Sequence, residues 1–261
     1  SAKPLLPVKP LYKTRPSQLS VYALLARVYQ TMQNYEKALL YADSSLMIQS
    51  ALLDYTTLDQ TAFFPIPSSN EEVIFHCTII GGPNHASSPF VGVVDTAFYN
   101  LYDANDLRKR LFFSDYFGYF SIPTFMGSYF ADGGLFAGLA VDEIYLIRAE
   151  CKARQGNVDG AMEDLNTLLQ KRWNSGTFVS LKATDKEDAL TKILIERRKE
   201  LCFRGLRWTD LKRLNSEGAN IILKRVVNGR EIQLEPNDNR YTFLIPPEVI
   251  SYNPDMLQNQ R

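Results

Sequence analysis

The sequence predicts a mostly α-helical protein in which paired helices carry a loop-rich insertion and small β-hairpins. Three observations lead there. Two well-separated stretches show apolar residues at helical spacing on either side of a very short turn. Between them lies a segment dense in aromatic residues and broken by glycine and proline. Near the end, Asn228-Gly229 sits between two β-prone runs, a strong signal for a type I′ hairpin turn.

In chain order, Ser1 to Pro16 holds four prolines and reads as an extended lead-in. Its opening, Ser1-Ala2-Lys3-Pro4, has no start methionine or signal peptide and reads as a processed or truncated beginning. Ser17 is a candidate N-cap for a helix over Leu19–Gln33, and a second helix follows Asn34 from Tyr35. The turn between them makes the two helices antiparallel neighbours. The pairing recurs at VDEIYLIRAECKAR, Gln155-Gly156-Asn157 and VDGAMEDLNTLLQKR. Setting Ala38 against Ala161 aligns Tyr22 with Tyr145, Ala26 with Ala149 and Asn34 with Asn157 at the turn. Small residues at the alanine positions allow close helix crossing. This is the tetratricopeptide type of helix–turn–helix unit.

The intervening segment contains an expected strand, Glu72 to Ile80, closed by Gly81-Gly82-Pro83. Phe112, Phe113 and Phe125 are expected in the core. Asp103-x-Asn105 lacks the glycine and distal glutamate of a calcium loop and reads as a capped turn. A long helix is expected over Asp185–Phe203. If it continues, Leu190, Leu194, Leu201, Trp208 and Leu211 line one face, interrupted by Arg197 and Arg204. Charges within an apolar stripe need partners. Glu196 and Glu200 are the local candidates, with Glu200 to Arg204 in the favourable i,i+4 order.

Composition narrows the function. The chain has 261 residues, 45% hydrophobic and 22% charged, with 29 Lys+Arg against 29 Asp+Glu. A neutral chain lacks the positive excess that displaces counterions from nucleic acid. No apolar run approaches a membrane span. Cys77, Cys151 and Cys202 are scattered, and no HExxH motif exists, so neither a disulfide framework nor a metal site is expected, and no cofactor. No nucleophile elbow, phosphate loop or dinucleotide fingerprint occurs. Glu196 and Glu200 sit among arginines, the wrong environment for a general acid.

The aromatic insertion is the remaining candidate for function. Tyrosine offers a flat apolar face with a polar tip, suited to stacking on a sugar ring or a peptide group. Tyr116, Tyr119 and Tyr129 are the candidate ligand-contacting rings. Asn84, His85, Asp115 and Asp132 lie near them in sequence and can hydrogen-bond hydroxyls.

IERRKELCFRGLRWTDLKRL, Ile195–Leu214, resembles the ER..EL.fEG.RW.DL.R signature of the SusD/RagB family. FLIPPEVISYNPDMLQNQ, Phe243–Gln260, is similar to that family's closing segment, and VDEIYLIRAECKARQGNVDGAMEDLN to its late tetratricopeptide unit. RPSQLSVYALLARVYQTMQNYEKALLYAD resembles its earlier unit, and EEVIFHCTI and LYDANDLRKRLFF its middle. The resemblance implies one SusD/RagB-like domain over 1–261, as the C-terminal portion of a longer protein. Its parts are a helical repeat at 17–50, the aromatic insertion at 55–140, a second repeat at 141–172 and the signature region at 185–261.

It further implies a non-catalytic lipoprotein of the bacterial cell surface, anchored at the outer membrane through a lipid outside this chain. Such a protein captures an oligosaccharide or, in some members, a peptide. It hands the ligand to a SusC-type TonB-dependent transporter. Glu196, Arg197, Glu200, Arg204, Trp208 and Asp210 then have structural roles. Arg204 stands where the family has glutamate, so one of the family's carboxylate–arginine pairs is not expected. Glycan-binding members often use a tryptophan platform in the insertion, and this insertion has only tyrosine and phenylalanine. A glycosidase and a plain protein-binding repeat scaffold are the lesser alternatives.

Overall fold

The structure, a computed structural model, describes residues 5–79, 94–114, 124–127, 129 and 134–261. The chain divides into two compact units, Ser1–Leu206 and Arg207–Arg261.

The first unit begins with helices α1 (Gln18–Thr31) and α2 (Tyr35–Ile48). Ser17 caps α1 and forms a reciprocal capping box with Ser20. The middle of the unit contains β1 (Val73–Phe75), β2 (Thr78–Ile79), α3 (Thr96–Tyr99), α4 (Arg108–Leu111), β3 (Phe113–Ser114), β4 (Thr124–Phe125), β5 (Leu135–Phe136) and β6 (Leu139–Ala140). Helices α5 (Val141–Arg154), α6 (Val158–Gln170) and α7 (Lys186–Glu200) complete it.

The two helical hairpins share local geometry. Asn34 and Asn157 cap α2 and α6 with backbone angles of −89°, 75° and −82°, 74°. Each side chain accepts from the N–H three residues on, Lys37 or Gly160. The residue before each cap is left-handed, Gln33 at φ 61° and Gly156 at φ 82°. Ala26, Ala38, Ala149 and Ala161 have no exposed surface. The alanine–asparagine alignment read from the sequence therefore describes two copies of one tetratricopeptide-like turn.

Helix α5 packs against α2, α6 and α7. One apolar cluster lies between α1, α2 and α5, and a second between α5, α6 and α7. Because neighbours lie on several sides, α5 also buries Asp142, Glu143 and Glu150, which must then be paired. Arg27 of α1 grips Glu143 through Nε at 2.7 Å and Nη2 at 2.5 Å. Gln30 and Arg154 donate to Glu150, both at 2.8 Å.

The expected strand at 72–80 forms as two short pieces. β1 pairs with β6 and β2 with β5, both antiparallel, and the register slips between Val73 and Phe75. Between the two pairs, Ala137 N–H donates to Cys77 O at 2.9 Å. Gly138 lies between β5 and β6, where a Cβ would overlap the carbonyl oxygen of Phe75 and the ring of Phe136. Phe112, Phe113 and Phe125 are buried as expected, in a third cluster with Tyr55, Tyr102, Tyr129 and Phe136. Asn105 N–H donates to the Asp103 carboxylate at 2.8 Å, giving the capped turn read from the sequence.

The long helix expected over 185–203 ends sooner. Helix α7 stops at Glu200, and Phe203 (φ 59°) and Gly205 (φ 75°) are both left-handed, which no helix interior tolerates. No single apolar stripe therefore runs from Leu190 to Leu211. The buried residues of α7 are instead Ala189, Ile193, Glu196, Arg197, Lys199 and Glu200.

The second unit holds α8 (Arg207–Ser216), the antiparallel hairpin β7 (Leu223–Val227) and β8 (Arg230–Leu234), and α9 (Pro247–Tyr252). Asn228 (φ 51°) and Gly229 (φ 76°) form the expected primed turn. The Asn215 side chain clasps residue 221, accepting from its N–H at 2.7 Å and donating to its carbonyl at 3.0 Å. Trp208 packs on Tyr241, with ring centroids 4.7 Å apart, and stacks on Phe243.

Gly138→Ala should destabilise the protein by about 3 kcal/mol, since the extra methyl meets backbone rather than a movable side chain. Asn157→Ala should cost about 1 kcal/mol through the lost cap. Urea unfolding at one pH measures both.

Candidate functional site

Of the candidate ligand contacts, Asn84, His85, Asp115, Tyr116 and Tyr119 lie outside the described residues, as does Asp132. The described residues show what the chain around them is rooted in. Strands β3 and β4 pair Phe113 with Phe125 and Ser114 with Thr124, so positions 114 and 124 are held side by side. Phe112 meets Phe125 edge-on at 5.8 Å, and Phe125 stacks on Phe203 at 4.3 Å and 12°.

Tyr129 corrects one expectation. It is 1% exposed. Its hydroxyl is hydrogen-bonded to Glu72 Oε2, and lies 3.0 Å from Asp142 Oδ2 and 3.3 Å from the Tyr55 hydroxyl. The Arg204 guanidinium lies 4.3 Å from the ring centroid. Tyr129 is thus an interior residue at the base of the insertion. The sequence carried no sign of this, because an amphipathic ring suits a buried polar site as well as a surface.

Around it lies a buried ionic network that joins the insertion to the helices. Asp106 forks Arg108 at 2.9 and 2.7 Å. The same guanidinium reaches Glu196 at 2.6 Å and Glu200 at 2.9 Å. Arg172, just beyond α6, donates to the other Glu200 oxygen and to Glu72, both at 2.7 Å, and to Leu53 O at 2.9 Å. Lys199 binds Glu196 at 2.8 Å and Asp106 at 3.0 Å. Arg204 forks Asp142 at 3.0 and 2.6 Å.

The i,i+4 pair expected between Glu200 and Arg204 does not form. The helix has ended, and each residue takes a partner distant in sequence. Arg204, where the family has glutamate, still makes a buried carboxylate–arginine pair, with Asp142. Arg197 and Asp210 are buried, and Asp210 lies 3.4 Å from Arg213.

Electrostatics follow from burial and pairing. For Asp142, burial favours the neutral acid, but the Arg204 fork outweighs it and holds the carboxyl below the usual range. Asp106 is lowered likewise, burial being overcome by Arg108 and Lys199. Glu72 goes the other way. Burial raises it, Arg172 offsets only part, and Asp142 and Glu200 add repulsion, leaving it at about 7. Burial pushes the Cys202 thiol up to about 12. Among the described residues no cluster of His, Cys, Asp or Glu has metal-binding geometry. No helix among them is long and apolar enough to cross a membrane.

The fold and this site define a class: tetratricopeptide-like helix pairs bearing an aromatic insertion locked down by buried ion pairs. Residues 142–261 match the sequence model of the SusD family, in keeping with the resemblance read from the sequence. The whole chain is similar in fold to solved SusD-type proteins. A SusD superfamily protein from Bacteroides thetaiotaomicron is 22% identical, with a TM-score of 0.73 over 100% of this chain and 64% of its own. A SusD-like carbohydrate binding protein from Bacteroides vulgatus is 22% identical, with a TM-score of 0.68 over 98% and 62%. A SusD-like protein from Bacteroides fragilis is 17% identical, with a TM-score of 0.67 over 99% and 68%. This chain therefore spans about two thirds of the length of those proteins or slightly less. No curated protein matches it.

Arg172→Met should cost about 3–5 kcal/mol in urea unfolding, because it strands two buried carboxylates, Glu72 and Glu200. Acid should also weaken the fold. Asp106 and Asp142 bind protons less readily folded than unfolded, so their contribution is present above about pH 4 and is lost as the pH falls through their lowered values. Urea midpoints at pH 5, 4 and 3 should fall in that order.

Proposed function

We propose that this chain is part of a non-catalytic protein that captures oligosaccharide at the bacterial cell surface and delivers it to a SusC-type TonB-dependent transporter. The observation that carries the reading is the match of residues 142–261 to the SusD family model combined with an aromatic segment rooted on a buried aromatic cluster. The description of the Bacteroides vulgatus relative as carbohydrate binding supports the choice of ligand class.

In this reading Tyr116 and Tyr119 stack on the apolar faces of sugar rings, and Asn84, His85 and Asp115 hold hydroxyls. Tyr129 supports them from within. The non-catalytic assignment fits the described carboxylates of the network, each tied to a guanidinium, an ammonium or a tyrosine hydroxyl. The helical repeats present the extended face suited to docking on the transporter.

Native gels cast with a panel of polysaccharides test the ligand. One polysaccharide should retard the protein, and Tyr116→Ala or Tyr119→Ala should weaken that retardation about tenfold or more, the loss of one or two stacking contacts. Binding of peptides and of no polysaccharide would move the protein to the peptide-capturing branch of the family. Release of free sugar from labelled oligosaccharide would make it an enzyme.

A further inference from the structure

Among the described residues, the ion pairs given above join five buried acids, Glu72, Asp106, Asp142, Glu196 and Glu200, to four buried bases, Arg108, Arg172, Lys199 and Arg204. Arg197 is a further buried cation beside Glu196, so the position of the protons is read from hydrogen-bond geometry and not from a tally of charges. A buried oxygen that faces another oxygen with no proton between them is costly, and the usual remedy is a proton.

Hydrogen-bond geometry shows where it goes. The Tyr129 oxygen touches Glu72 Oε2 and Asp142 Oδ2, and its single proton serves only one of them. The other contact sets lone pair against lone pair unless a second proton is present. Tyr55 does not supply it, because its hydroxyl lies 3.3 Å from the same tyrosine oxygen, and whichever of the two hydroxyls donates in that contact adds no proton between that oxygen and a carboxylate. Asp142 is the poorer holder: both its oxygens accept from Arg204, and Oδ1 also accepts from Glu143 N–H at 2.7 Å. Glu72 meets cations only at Oε1, which accepts from Arg172 and from Leu53 N–H at 2.9 Å. Among the described residues its Oε2 bonds only the tyrosine.

We propose that Glu72 carries a proton in the folded protein, in the chain Glu72 O–H to Tyr129 O–H to Asp142 carboxylate, and that this buried proton makes the packing of the insertion on the helices sensitive to pH near neutrality. The groups facing Glu72 are Arg172 beyond α6, Glu200 at the end of α7, Asp142 at the start of α5 and Arg204, together with Tyr55 and Tyr129. With Glu72 protonated, each contact of the Tyr129 oxygen with a carboxylate has a donor. With Glu72 deprotonated, one of the two is a repulsive oxygen pair. The raised affinity of Glu72 for its proton, with a midpoint near 7, agrees.

The sign follows. The folded state holds the proton more tightly than the unfolded chain, so the contribution is complete below about pH 4.5 and is lost as the pH rises through about 7. Infrared difference spectra of the wild-type protein between pH 5.5 and 9 should show the C=O stretch of a protonated carboxylic acid that disappears near neutrality. Glu72→Gln, a neutral stand-in for the protonated acid, should lack that band. Between about pH 5 and 7 the wild-type unfolding constant in urea should rise up to about tenfold per pH unit more steeply than that of the variant.

Absence of the band, or its persistence in Glu72→Gln, would overturn the proposal, as would equal slopes. If Glu72→Gln does not fold, Tyr129→Phe serves instead. Its band should titrate at a different pH from the parent's, and an unmoved midpoint would place the proton elsewhere and overturn the assignment.

Discussion

Arg172 has no exposed surface, yet its guanidinium reaches three separate parts of the chain: Glu200 at the end of α7, Glu72 ahead of β1, and Leu53 O in the link from the first helical hairpin. Its backbone takes part too, since its carbonyl accepts from Leu107 N–H at 2.8 Å and so seats the turn that carries Asp106 and Arg108. The ring of Tyr55 lies 4.0 Å from its Cζ. A lysine offers one point charge and no planar fork, and would not satisfy a carboxylate on each side while also bonding a carbonyl. The helices and the aromatic insertion of the first unit are joined largely through this residue and its neighbours.

The elements specified by near neighbours were legible in the sequence, and those specified by distant ones were not. Helices α1, α2, α5 and α6 follow from apolar spacing over a dozen residues or more, and Ser17, Asn34 and Asn157 mark their starts through bonds made three residues on. Asn228-Gly229 dictated its hairpin for the same reason. The need for partners in the α7 stripe was also visible. Their identity was not, because the i,i+4 rule assumes that the helix continues and α7 ends at Glu200. Arg204 finds Asp142 instead, 62 residues away. The left-handed residues at 203 and 205 divert the chain, and only Gly205 hinted at that.

Tyr129 shows a second limit. Its neighbours in sequence suggested a surface ring, whereas its neighbours in space are two carboxylates, a second tyrosine and an arginine. The aromatic residues of the insertion are therefore not one population. Phe112, Phe113, Phe125, Tyr129 and Phe136 build an interior on which β3 and β4 rest. Segments grafted on such a base pay less entropy on meeting a ligand than the same segments in a free chain, which is how a core ring far from any ligand influences affinity.

Hydrocarbon of the same volume would stabilise this interior at least as well as ions do, because each buried ion costs several kcal/mol of lost hydration before its partners offset it. What ions add is intolerance of error. The strands here are two or three residues long, and a two-residue ladder barely specifies its own register. A slip of one position between β1 and β6 would move Glu72 relative to Asp142, which sits two residues beyond β6. It would separate the carboxylate from Arg172 or from the Tyr129 hydroxyl. An apolar core would absorb that slip by repacking. A buried carboxylate stripped of its partner costs about 3–5 kcal/mol, a large share of the stability of a domain this size. Short strands with weak registers and a network with strict partners thus answer the same structural need, and the second makes the first workable.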